Sequence, residues 1–111
     1  MARQYSVTYN HSVLETSLTE FYKRYSAAEV HTTIGPSIRT AGTLYEIDGK
    51  GAIYDLRGKN EVHIFLIGFN ERSSFYKTLD KEIVDILSNS GLTKVTTRNY
   101  YPQPALLDDK T

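Results

Sequence analysis

A chain of 111 residues and 12.6 kDa is long enough for one domain with a true core and too short for two. With 40% hydrophobic and 23% charged residues it is not a wholly disordered chain, and the absence of cysteine excludes a disulfide scaffold, a thiolate metal site and a cysteine nucleophile. Thirteen Lys and Arg against thirteen Asp and Glu give a net charge of zero, so no global field draws the chain to nucleic acid or to an anionic membrane.

In chain order, Gln4–Tyr9 alternates Gln4, Ser6 and Thr8 with Tyr5, Val7 and Tyr9, which predicts a strand with one buried face. Ser12 and Glu15 have capping-box spacing, and Leu14, Leu18, Phe21, Tyr22 and Tyr25 follow as one apolar helix face. Val30–Ile34 reads as a short strand stopped by Gly35-Pro36, and Gly35–Gly42, carrying Arg39, reads as a loop. Two short strands, Leu44–Asp48 and Ala52–Arg57, flank Asp48-Gly49, a strong hairpin signal because glycine accepts positive φ. After the turn Gly58–Asn60 comes the most apolar run, Glu61–Phe69. Asn70 or Ser73 is placed to cap a second helix with the stripe Phe75, Leu79, Ile83, Ile86 and Leu87. Ser90-Gly91-Leu92 predicts a glycine C-cap with Leu92 folded back on the last turn, and Lys94–Tyr100 is the final strand. Residues 1–101 form one domain in this reading, and 102–111, after the prolines Pro102 and Pro104, form a flexible tail.

The resulting order, β-α-β-(hairpin)-β-α-β, predicts an α+β domain of the ferredoxin-like split βαβ type: an antiparallel sheet with both helices on one face. In such a sheet each strand should alternate apolar and polar, yet Val62, Ile64 and Leu66 on one side of Glu61–Phe69 are matched by His63, Phe65, Ile67 and Phe69 on the other. Leaving Phe65, Ile67 and Phe69 bare forgoes about 5 kcal/mol, at roughly 1.5–3 kcal/mol for each large side chain. The second face therefore requires a cover: a second copy of the chain, the hairpin or tail folded over it, another protein, or a ligand. A homodimer needs no further molecule. Phe65, Ile67 and Phe69 with His63, and with Tyr5 and Tyr9 adjacent, are the expected interface residues.

Other chemistry is thinly signalled. The three histidines lack metal-ligand spacing, and neither a metal nor a cofactor is expected. Arg39, Lys50, Arg57 and Lys59 around the hairpin, with His11 at the strand-to-helix junction, are candidate contacts for an anion, a nucleotide or nucleic acid. Tyr5, Tyr9, Phe65 and Phe69 are the aromatics a base-stacking sheet would use, although Lys50–Tyr54 departs from the corresponding RNA-binding motif. The order of elements resembles that of small ferredoxin-like endoribonucleases found among CRISPR-associated proteins and some antitoxins. That resemblance implies a metal-binding aspartate at the end of the first strand, where this chain carries Tyr9-Asn10. No apolar run reaches signal-peptide or membrane-spanning length, so the expected setting is the cytoplasm. The expected function is a small non-catalytic inhibitor, adaptor or regulatory subunit of the kind carried by phages and mobile elements.

Overall fold

The computed structural model describes residues 2–9, 11–30 and 42–100. They form β1 (Ala2–Thr8), α1 (His11–Arg24), β2 (Ala28–Val30), β3 (Thr43–Ile47), β4 (Gly51–Arg57), β5 (Glu61–Ile67), α2 (Ser74–Ser90) and β6 (Thr96–Tyr100). The fold is α+β, with one antiparallel sheet of six strands in the order β2-β3-β4-β5-β1-β6 and two helices. The chain from β2 to β5 is a meander, β1 pairs with the free edge of β5, and α2 carries the chain past β1 to β6 at the border. The hairpin β3–β4 lies in the plane of the sheet, so it widens the sheet instead of folding across its second face.

Local chemistry explains most boundaries. Asp48 and Gly49 take φ of 52° and 67°, and the Lys50 amide donates to the Ile47 carbonyl at 2.8 Å, as a tight hairpin turn requires. Ser73 caps α2, its hydroxyl accepting from the Tyr76 amide at 3.1 Å, while Asn70 braces the preceding turn through the Arg72 amide. The capping box expected at Ser12 and Glu15 rests on the Ser12 side chain, which lies outside the described residues; α1 begins at His11, and the Glu15 carboxylate accepts from Arg57. Gly91 is also not a left-handed cap. It is extended (φ −83°, ψ 157°) and bridges Tyr9, the Leu92 amide donates to the Thr8 carbonyl at 2.7 Å, and the Leu92 side chain is two-thirds exposed. Glycine is required there by space, since a Cβ would meet Val7 Cγ2 at 2.5 Å and the Leu87 carbonyl at 2.6 Å. His31–Ile34, residues 35–41 of the loop containing Arg39, and the tail 102–111 lie outside the described residues.

The core sits between the helices and the front of the sheet. Leu14, Leu18, Phe21 and Tyr22 of α1 and Tyr76, Leu79, Ile83 and Leu87 of α2 pack on Tyr5, Val7, Ile53, Val62, Ile64 and Leu66. Two tyrosine–carboxylate pairs pin the layers together. Asp80 of α2 accepts from Tyr5 and, at 2.9 Å, from Arg3 Nε of β1. Glu82 of α2 accepts from Tyr25, just beyond α1, with Arg24 Nη2 at 3.6 Å. Gly91→Ala is expected to force β1 and α2 apart and to lower stability by about 1–3 kcal/mol, the usual cost of overpacking a core. Urea unfolding at constant m-value checks this.

Candidate functional site

The register divides the sheet residues cleanly. Tyr5 pairs with Ile64 and Val7 with Val62 on the front, whereas Gln4 pairs with Phe65, Ser6 with His63 and Ala2 with Ile67 on the rear. On β4 the rear residues are Ala52, Tyr54 and Leu56, opposite Ile67, Phe65 and His63. Leu44 of β3 and Val30 of β2 continue the same row. The rear carries a second apolar cluster to which neither helix contributes: Ala2, Leu44, Tyr54 and Ile67 are 0 to 8% exposed, and Val30, Ala52, Leu56 and Phe65 around them are half-buried. The Tyr54 ring lies 6.0 Å from that of Phe65 and so close to Gly42 that a Cβ there would meet it at 2.6 Å.

His63 borders this apolar cluster at its polar end. Its Nδ1 lies 2.9 Å from both Gln4 Nε2 and Ser6 Oγ, and its Nε2 lies 3.2 Å from Glu61 Oε1. With the Gln4 amide donating to Nδ1, the Nε2–H donates to Glu61. Phe65, Ile67 and His63 are thus brought together on the rear face. Phe69, Tyr5 and Tyr9 are not: all three are buried in the front core. Gly68, at φ 81°, breaks the alternation after Ile67 and turns Phe69 forward onto Gly51, where a Cβ would meet the ring at 2.6 Å, and towards Phe75 and Tyr76. Alternation alone places Tyr5 and Tyr9 opposite Phe65 once β1 pairs with β5, which separates the aromatics of the expected base-stacking platform.

The basic residues do not converge either. Lys50 precedes β4 and Arg57 ends it, which separates them by about 20 Å along an extended strand. Lys50 Nζ sits 4.5 Å above the Phe75 ring and 3.6 Å from Asp48. Lys59 is exposed in the turn before β5, His11 opens α1 with its side chain outside the described residues, and Arg39 is outside them altogether.

Arg57 belongs to a different constellation, one the sequence reading missed. Asp55, 3% exposed on the front of β4, accepts from Arg57 Nε at 2.9 Å, from Arg57 Nη2 at 2.9 Å and from the Tyr22 hydroxyl at 2.6 Å. Arg57 Nη1 donates to Glu15 of α1, and Tyr22 stacks on Tyr45 with centroids 4.1 Å apart. The hydrogen bonds that Arg57 donates to Asp55 hold the Arg57 pKa above its usual value, and burial next to the Asp55 charge pushes the Tyr22 phenol well up. This group lines a cleft of about 670 Å³ between α1 and the β3–β4 side of the sheet. An acid and a base two apart in a strand share a face, and Asp55 and Arg57 within an otherwise apolar strand were the available signal.

Among the described residues no three His, Asp or Glu side chains converge as metal ligands, and no helix is long and apolar enough to cross a membrane. Compared with known proteins, the chain matches no family model, no curated protein and no solved structure.

Two outcomes follow from the tyrosine–carboxylate chemistry. Replacing Arg57 by Met leaves the Asp55 carboxylate buried without its cation, and stability should fall by about 3 kcal/mol, the low end for breaking a buried pair. Pairing this change with Asp55→Asn in a double-mutant cycle should recover part of that loss. Burial, reinforced by Glu82, raises the Tyr25 pKa to about 12, and burial also raises those of Tyr5 and Tyr22. Above pH 10 the unfolded chain ionises these phenols while the folded one does not. Stability is therefore fully present below pH 10 and declines from there through at least pH 12. Ultraviolet tyrosinate titration alongside denaturant melts should show the delayed ionisation and the loss together.

Proposed function

We propose that the chain is a small non-catalytic interaction protein, an inhibitor, adaptor or regulatory subunit of the cytoplasm, that pairs with a second copy of itself through the rear face of its sheet. The scaffold would be a ferredoxin-like split βαβ unit in which β3–β4 is inserted between the second and third strands of that plan. The observation that carries the reading is the half-buried apolar rim on the rear face, to which neither helix contributes a residue, around Ala2, Leu44, Tyr54 and Ile67, which are already buried within the single chain. Val30, Ala52, Leu56 and Phe65 are its half-buried members, and a facing sheet would complete their burial. A two-fold pair uses the same patch on both subunits, and zero net charge leaves little long-range repulsion to oppose it. The principal polar groups elsewhere support an architectural role: Asp55, Asp80 and Glu82 each accept from a tyrosine and lie beside an arginine of the same chain.

Sedimentation or light scattering across a dilution series should give twice the protomer mass at high concentration and a return to monomer on dilution. Phe65→Asp should shift that equilibrium at least a hundredfold towards monomer while far-ultraviolet dichroism stays unchanged. A parent that is monomeric at every concentration, or a folded variant as associated as the parent, would overturn the reading.

A further inference from the structure

The front of the sheet holds a second surface, independent of the rear face. Six strands about 4.8 Å apart span about 24 Å between the outermost axes, whereas two helices packed about 10 Å apart shield about 20 Å. The front is left open at β2 and the first half of β3, short of the buried Ile47, and there the sequence places polar side chains: Glu29 and Tyr45 share one register position, Thr43 and Asp55 another. The cleft is this uncovered strip, walled by α1.

Its volume of about 670 Å³ falls in the range of small-ligand sites, and its lining has an order that a crevice between surface side chains lacks. Glu15, Thr19 and Lys23 follow each other at four-residue steps along one face of α1, a polar row about 12 Å long. Facing it are the Tyr45 ring, braced from one side by Tyr22 with only 20° between their planes, and Thr43. Asp55, 3% exposed, and Arg57 sit at the back and lock each other through two hydrogen bonds of 2.9 Å.

The charges decide the class of ligand. Glu15 and Asp55 balance Lys23 and Arg57, and Arg57 is engaged by both carboxylates, so the cleft offers no surplus of cations to hold a phosphate or a carboxylate. It offers a rigid aromatic face, hydroxyls, and charged groups of both signs that donate and accept at fixed positions. An aromatic platform bordered by donors and acceptors of this kind suits a neutral ring with an apolar face and hydroxyl edges. We infer that the cleft between α1 and β3–β4 is a binding site for a neutral, hydroxyl-rich ligand, a saccharide unit stacked on Tyr45, with Thr19, Lys23 and Glu15 bonding its hydroxyls.

The test is amide correlation spectroscopy of the full chain titrated in turn with cellotriose, maltotriose, chitotriose and sodium phosphate. At least one trisaccharide should shift the amides of Thr19, Lys23, Thr43 and Tyr45 saturably, while phosphate leaves them in place. Thr19→Arg, on the exposed wall, fills the trough without touching the core and should weaken binding at least tenfold with the rest of the spectrum intact. Tyr45→Ala should do the same, and Phe65→Asp on the opposite face should leave binding unchanged whatever it does to self-association. Absence of saturable shifts with all three sugars, a response to phosphate alone, or undiminished binding by Thr19→Arg would each overturn the assignment.

Discussion

Strand β5 must be withdrawn from water on both sides, and the rest of the molecule is arranged around that requirement. Val62, Ile64 and Leu66 are covered by the helices at the front, while Phe65 and Ile67 belong to the rear cluster with Ala2, Leu44 and Tyr54. A strand of this composition cannot sit at an edge, and it has β1 on one side and β4 on the other. The hairpin β3–β4 supplies the neighbours that make the rear apolar over several strands, and in doing so it makes the sheet broader than two helices can cover. The rear cluster and the front cleft are thus two consequences of one hairpin.

A single chemical device recurs where the layers meet. Tyr5 donates to Asp80, Tyr25 to Glu82 and Tyr22 to Asp55, in each case with an arginine beside the carboxylate. Each tyrosine buries a ring in or against the core and delivers its hydroxyl to an acceptor on another element, which satisfies a polar group that burial would otherwise penalise. The pairs join β1 to α2, the end of α1 to α2, and α1 to β4, and so set the position of both helices over the sheet. Nine tyrosines in 111 residues, unusual for composition alone, are in part accounted for by this role.

The elements most legible in the sequence were those whose apolar period is unbroken. The α1 face Leu14, Leu18, Phe21 and Tyr22 is buried as its spacing implies, and the Asp48-Gly49 turn forms as its residues demand. The excess of apolar residues on Glu61–Phe69 was equally plain, and it led directly to the rear cluster. Its extent was overstated by one residue, since the period-two pattern runs through Phe69 and takes no account of the positive φ at Gly68 that turns this ring to the front. Gly91 misled for a related reason: a glycine after a helix suggests a left-handed cap, but here the missing side chain makes room for Val7 of β1, a contact 84 positions distant in the chain.

The sequence by itself determined the α+β class, the order of the elements and the presence of a strand apolar on both faces, because these depend on periodicity and on φ preferences read over a few residues. Only the tertiary structure decided which side chains share a surface. It sent Tyr5, Tyr9 and Phe69 away from Phe65, put Lys50 and Arg57 at opposite ends of one strand, and closed Asp55, Arg57, Tyr22 and Glu15 into one group beside a cleft. Those outcomes follow from strand pairing and register, which join residues far apart along the chain. A one-residue change in register exchanges the two faces, and local pattern is blind to it.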